Sequence, residues 1–212
     1  MIGILGGTFN PIHNGHLHVA ERLQHALGFD AIRLMPAAIP ALKHQPSVSA
    51  AQRAEMVKLA IADHAALQID TRELERPGPS YSIDTLISLR AELGEQRSIC
   101  WLIGSDAFAK LNTWHRWETL LDYCHFVVVK RPQTEDSIPH AQVQALIAAH
   151  QTDDASQLKN TAHGKILMQE IAALDISSTY IRQQIALKGD VSQLIPKSVL
   201  NYIQQHHLYE QA

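Results

Sequence analysis

The first eighteen residues constrain the fold most. An apolar run, Ile2-Gly3-Ile4-Leu5, breaks into Gly6-Gly7-Thr8-Phe9-Asn10-Pro11-Ile12-His13-Asn14-Gly15-His16, and a helical pattern then begins at Leu17. A strand that hands over to a helix through small residues leaves backbone N–H groups at the helix start, where they are free to hold phosphate. Two imidazoles and a hydroxyl stand at that junction. Leu17, Ala20, Leu23 and Leu27 recur at helical spacing until Gly28 stops the run.

The alternation continues along the chain. Short apolar, β-branched runs predict strands over residues 2–5, 31–35, 67–69, 99–103, 125–129 and 165–168. Helical patterns fall between and after them, over residues 17–27, 50–63, 83–93, 117–121, 142–150, 178–188 and 197–206. Ser49 is placed to cap the second of these. Pro36, Pro40 and Pro46 deny regular structure to the stretch before Ser49, and residues 133–164 read as a polar insertion at the sheet edge. Strands separated by helices imply an α/β fold: a Rossmann-like, mostly parallel sheet of five or six strands, with helices on both faces. Residues 1–170 are expected to form the core and 171–212 a small helical C-terminal part that closes over the ligand.

Composition excludes several classes. With 212 residues, 46% of them hydrophobic, the chain can bury a real core as one large domain. Lys and Arg total 18 against 21 Asp and Glu, with no long basic block, so nucleic acid is not expected as a partner. No run of 18 apolar residues and no basic leader occur, so neither a membrane nor export is expected. Cys100 and Cys124 lie in strand-like runs and read as buried thiols in a reducing, cytoplasmic compartment rather than as a disulfide. Nothing in the sequence discriminates a monomer from a homo-oligomer.

The segment after the first strand is neither the G-x-G-x-x-G dinucleotide fingerprint nor a Walker loop. His13 and His16, three apart at a helix start, share one face. Gly15 between them would let the backbone approach a ligand closely. No third ligand stands at a convincing short spacing, since His18 points around the helix and His44 is far along a loop, so no metal is assigned to the side chains. Two imidazoles aimed at phosphate oxygens fit the spacing better: they donate hydrogen bonds as negative charge moves onto a leaving group.

The segment from Gly6 to His16 resembles the (H/T)xGH nucleotidyltransferase superfamily, and within it the bacterial nicotinate-nucleotide adenylyltransferases. Further matches follow in register: Pro79-Ser80-Tyr81-Ser82-Ile83-Asp84-Thr85-Leu86, Gly104-Ser105-Asp106, Asn112-Thr113-Trp114, Lys130-Arg131-Pro132 and Ile176-Ser177-Ser178-Thr179-Tyr180-Ile181-Arg182. Asn10 replaces the family's usual Asp. Leu42, in Pro40-Ala41-Leu42-Lys43-His44, stands where the family has His, while Lys43 keeps the basic position.

The resemblance implies adenylyl transfer from ATP, carried with Mg²⁺, to nicotinate mononucleotide, giving deamido-NAD and pyrophosphate. It places Gly6, Gly7, Thr8, Phe9, His13 and His16 on one side of the phosphates and Lys43 and Arg182 on the other. His13, His16, Lys43 and Arg182 would carry the catalysis. Adenine would lie against Ile103-Gly104 and Ile176-Ser177, with Ser177 and Ser178 also offering hydroxyls and N–H groups to phosphate, Arg131 binding at the basic strand end, Asp106 on ribose hydroxyls, Thr85 near the pyridine nucleotide and Trp114 on its ring. Asp84 is expected to face solvent.

Plainer readings stand beside these. Asp106 and Ser177-Ser178-Thr179 would serve as helix caps, Trp114 and Trp117 as core residues, and Arg131 as a solvated strand end. Two other functions compete: a related nucleotidyltransferase acting on phosphopantetheine or glycerol phosphate, and a nucleotide-binding regulatory protein without turnover.

Overall fold

A computed structural model describes residues 1–39, 46, 48–130, 138–172 and 174–210. Its strands are β1 (Ile2–Gly7), β2 (Ala31–Pro36), β3 (Leu67–Ile69), β4 (Ile99–Gly104), β5 (His125–Lys130), β6 (Gln151–Thr152) and β7 (Ile166–Glu170). They form one sheet in the order β3-β2-β1-β4-β5-β7-β6, and every pairing is parallel. The helices are α1 (Asn14–Leu27), α2 (Ala50–Ala60), α3 (Ser82–Leu93), α4 (Ser105–Phe108), α5 (Ala141–His150), α6 (Ser156–Asn160), α7 (Ser178–Ala186) and α8 (Lys197–Gln205).

The sheet is Rossmann-like, as the alternation predicts, but it has seven strands among the described residues rather than five or six. β6 escapes a search for apolar periodicity because it is two polar residues long. It forms only through register with its neighbour, Gln151 beside Ile166 and Thr152 beside Leu167. Two helix expectations are also corrected. The helix expected over 50–63 ends at Ala60, where the chain turns and His64 N–H bonds the Ile61 carbonyl at 2.9 Å. The stretch expected over 117–121 is a 3₁₀ helix, Trp117–Asp122.

Strand periodicity divides the core into two layers. Along β4, Cys100 and Leu102 face a cluster with Leu17, Leu23 and Met56, while Ile99, Trp101 and Ile103 face one with Ile83, Leu86 and Phe126. Both faces are therefore covered, which a parallel sheet requires. The C-terminal helices belong to the first layer: Ile181, Val199 and Ile203 are buried in it. At about 1.5–3 kcal/mol for each fully buried aliphatic side chain, that docking holds α7 in place. Ser49 caps α2 as expected, accepting from Gln52 N–H at 3.2 Å.

Cys100 and Cys124 are free, buried thiols, and burial pushes Cys100 up to about 12. No described helix is long and apolar enough to cross a membrane.

Candidate active site

The strand order reverses between β1 and β4: the chain builds outward from β1 through β2 to β3, then crosses to β4 on β1's other side. Parallel sheets of this kind bind ligands at the carboxyl ends of the strands flanking such a reversal. Gly6, Gly7 and Thr8 leave β1 there, and Ile103 and Gly104 end β4 beside them.

The β1–α1 junction is held from several directions. His13 is the N-cap of α1, and its ring stacks on that of His16 with centroids 3.7 Å apart. His16 Nδ1 accepts the His13 backbone N–H at 3.3 Å. A neutral His16 with Nδ1 accepting carries its proton on Nε2, which is then a hydrogen-bond donor. Phe9 packs edge-on against the same ring at 5.0 Å.

Gly15 has a packing reason of its own. A Cβ at Gly15 would lie 3.0 Å from His13 Nδ1 and 3.6 Å from Ile176 Cβ. The missing side chain makes room for the His13 ring. Gly104 is constrained in a similar way, because a Cβ there would lie 2.7 Å from Asp106 Oδ1. Asp106 is exposed in the first turn of α4 and makes no capping bond, so the plainer reading of it as a cap does not hold.

α7 clamps the junction from the C-terminal side. Ser178 Oγ donates to the Pro11 carbonyl at 2.9 Å, and Arg182 Nη1 donates to the Asn10 carbonyl at 2.8 Å. Arg182 Nη2 also reaches Thr179 Oγ1 at 3.3 Å. Ser177 caps α7, accepting Tyr180 N–H at 3.2 Å. The second signature thus lies against the first, with Ser177 in the capping role and the Ser178 hydroxyl and one arm of Arg182 bonded to loop carbonyls.

The Thr85 side chain is fully buried and its hydroxyl donates to Glu73 Oε1 at 2.6 Å, so only its backbone is left to meet a ligand. A hydroxyl on the inward face of α3 must find a partner, and Glu73 supplies it. Burial pushes the Glu73 carboxyl above the usual carboxylate range. Asp84 beside it is half-buried rather than fully in solvent.

Trp114 is half-buried, neither a core residue nor fully exposed. Its ring meets Trp101 edge-on at 6.5 Å, and Trp101 lies under Gly6, where a Cβ would be 3.2 Å from Trp101 Cζ2. The two indoles therefore link the end of β1 to the Trp114 loop. Lys43, with Leu42 and His44, and Arg131 lie outside the described residues.

Sequence reasoning missed two further contributors. Tyr209, near the C-terminus, donates its hydroxyl to Asn10 Oδ1 at 2.7 Å. Arg53 of α2, 1% exposed, donates to the Thr8 carbonyl at 2.6 Å and to those of Ala37 and Ala38 at 2.7 and 3.1 Å. Neither carries a local signal, since each acts on chain far away in sequence.

A family profile described as cytidylyltransferase-like matches residues 4–184. A Pseudomonas aeruginosa protein described as "Probable nicotinate-nucleotide adenylyltransferase" is 46% identical over 208 residues, covering 98% of this chain and 96% of its own length. An Aeromonas hydrophila protein of the same description is 44% identical over 211 residues, covering 100% of this chain and 98% of its own. Among solved structures, Plasmodium falciparum nicotinic acid mononucleotide adenylyltransferase complexed with NaAD shares the fold with a TM-score of 0.72 at 21% identity, over 100% of this chain and 98% of that one. The same enzyme complexed with APC gives a TM-score of 0.71 at 21% identity, with the same coverage.

Proposed function

The chain belongs to the cytidylyltransferase-like family as one of its nicotinate-nucleotide adenylyltransferases, and from that premise we propose how its own residues carry the reaction. The activity is adenylyl transfer in NAD biosynthesis. In our reading a phosphate oxygen of nicotinate mononucleotide attacks the α-phosphorus of ATP, the bond from that phosphorus to the bridging oxygen breaks, and pyrophosphate leaves. Deamido-NAD is the other product. Little covalent chemistry falls to the protein, so catalysis comes from positioning and charge stabilisation.

The observation that carries this reading is the stacked His13–His16 pair at the strand-order reversal, clamped by Ser178 and Arg182. His16 donates to the phosphate oxygens as charge moves onto the leaving pyrophosphate. The Gly6-Gly7 backbone, Thr8 and Phe9 hold the same phosphates. Arg182 completes the cradle with the arm not bonded to Asn10, and the family resemblance adds Lys43 to the groups that bind the phosphates. Adenine lies at Gly104 with Asp106 on the ribose, and the pyridine ring lies against Trp114.

Among the described residues no three His, Cys, Asp or Glu side chains group to hold a metal ion. The groups at the junction are imidazoles, hydroxyls and N–H donors, which suit phosphate. In our reading Mg²⁺ enters as part of the ATP substrate. We assign residues 1–170 to the nucleotidyltransferase core and 171–212 to the part that completes the nucleotide site, because Ser178 and Arg182 reach the β1–α1 loop. Small soluble substrates and two buried thiols suit the cytoplasm.

Incubation with ATP and nicotinate mononucleotide tests the reading: one pyrophosphate should appear per deamido-NAD. No release would leave a binding protein without turnover. Release with phosphopantetheine or glycerol phosphate in place of the mononucleotide would support the related-transferase alternative.

A further inference from the structure

Arg53 is the largest fully buried side chain in the molecule among the described residues, and it is charged. Its three acceptors are backbone carbonyls, and no carboxylate pairs with it among the described residues. Its Nε has no partner there either. Burying a guanidinium without a counter-ion is costly, and proteins normally answer such a charge with Asp or Glu. Desolvation accordingly pulls the group below its ordinary pKa, yet an arginine stays protonated in proteins. The charge persists unanswered beneath the phosphate loop.

Its geometry reaches that loop directly. Nη1 holds the Thr8 carbonyl at 2.6 Å, while Nη2 holds Ala37 and Ala38 at the end of β2, where the chain continues towards Lys43. Across a trans peptide the carbonyl and the following N–H point in opposite directions. Pinning the Thr8 carbonyl inward therefore turns the Phe9 N–H away from the guanidinium. Phe9 itself has φ of 46°, in the left-handed region that non-glycine residues rarely adopt. Such a conformation persists only where the surroundings enforce it.

We infer that Arg53 is a positioning residue for adenylyl transfer: it fixes the Thr8–Phe9 peptide with its N–H turned to the phosphates, and its buried charge finds its counter-ion in the bound triphosphate. The inference rests on the phosphate site proposed above. It concerns the triphosphate alone, because no described contact of Arg53 lies on the Trp114 side.

Wild-type turnover with ATP and nicotinate mononucleotide is measured first, and its absence would overturn the functional reading rather than this one. Arg53→Met, folded by circular dichroism, should then raise KM for ATP at least about tenfold while KM for nicotinate mononucleotide stays within about twofold. Arg53→Lys restores the charge but not the fork. Its KM for ATP should return to within about threefold of wild type, with kcat still reduced at least about threefold. An unchanged KM for ATP in Arg53→Met, or equal rises in both KM values, would overturn the proposal. If Arg53→Met does not fold, Arg53→Lys decides alone, and wild-type kcat in that variant would overturn it.

Discussion

The rings of His13 and His16 lie 3.7 Å apart and 29° from parallel, so the two imidazoles act as one unit at the head of α1. His16 Nδ1 accepts from the His13 backbone N–H at 3.3 Å, which leaves the proton of the neutral ring on Nε2. His16→Ala should lower kcat/KM by about 10² or more, the usual cost of losing a donor to developing charge, while thermal stability changes far less than for a core deletion. The His13→Ala/His16→Ala double variant should lose less than the sum of the two single losses, as contacting residues do. Activity within about twofold of wild type in His16→Ala would make the residue structural.

Gly15→Ala tests the same unit from below. Its Cβ would stand 3.0 Å from His13 Nδ1 and 3.1 Å from Cε1, so the His13 ring must shift by a few tenths of an ångström against His16. Steady-state kinetics should show kcat/KM reduced by about tenfold, because misplacing a catalytic group by a fraction of an ångström to an ångström has costs of that order. An unchanged rate would show that the stacking has no catalytic consequence.

Arg182 divides its fork between the Asn10 carbonyl and Thr179 Oγ1. Lysine at that position keeps the charge but cannot hold both the loop and a phosphate. Arg182→Lys should therefore impair ATP use, with KM for ATP raised or turnover lowered by about tenfold. Unchanged ATP dependence together with unchanged turnover would reassign Arg182 to structure alone.

His125 predicts an acid limit to stability. It is fully buried in β5, its Nδ1 accepts Lys165 N–H at 3.1 Å, and its Nε2 pairs with the Thr161 carbonyl at 3.0 Å. Burial pulls its pKa from 6.5 down to about 4. The unfolded chain therefore binds a proton that the folded chain refuses between those values. The contribution is complete above about pH 6.5 and is lost as pH falls to about 4, on the order of 3 kcal/mol. Denaturation curves at pH 7.5 and 4.5 should show that loss in wild type and a smaller one in His125→Gln. Parallel losses would remove His125 from the account.

What the sequence makes legible follows from locality. β1, β4 and β5 are short, apolar and β-branched, and α1 announces itself through Leu17, Ala20, Leu23 and Leu27. β6 is two residues that become a strand only beside β7. The site follows the same division. The two signatures locate Gly6 to His16 and Ile176 to Arg182, but not that Ser178 bonds the loop or that Thr85 turns inward to Glu73. Arg53 sits among strong helix formers, where nothing in the sequence singles it out. Its role exists only because residues 8, 37 and 38 bring their carbonyls to it. Tyr209 reaches Asn10 from the far end of the chain, and no window of sequence contains both.

The central claim is tested most directly by side-by-side kinetics with nicotinate and nicotinamide mononucleotides at saturating ATP. An acidic ring substituent needs only donors, whereas a carboxamide also needs an acceptor. Glu73, the carboxylate bonded to Thr85, is buried with that hydroxyl inside the protein, where a ring substituent does not reach it. Nicotinate mononucleotide should therefore win by at least about tenfold in kcat/KM, about 1.4 kcal/mol, with one pyrophosphate released per deamido-NAD. Equal use of the two substrates, or a preference for nicotinamide mononucleotide, would contradict the account.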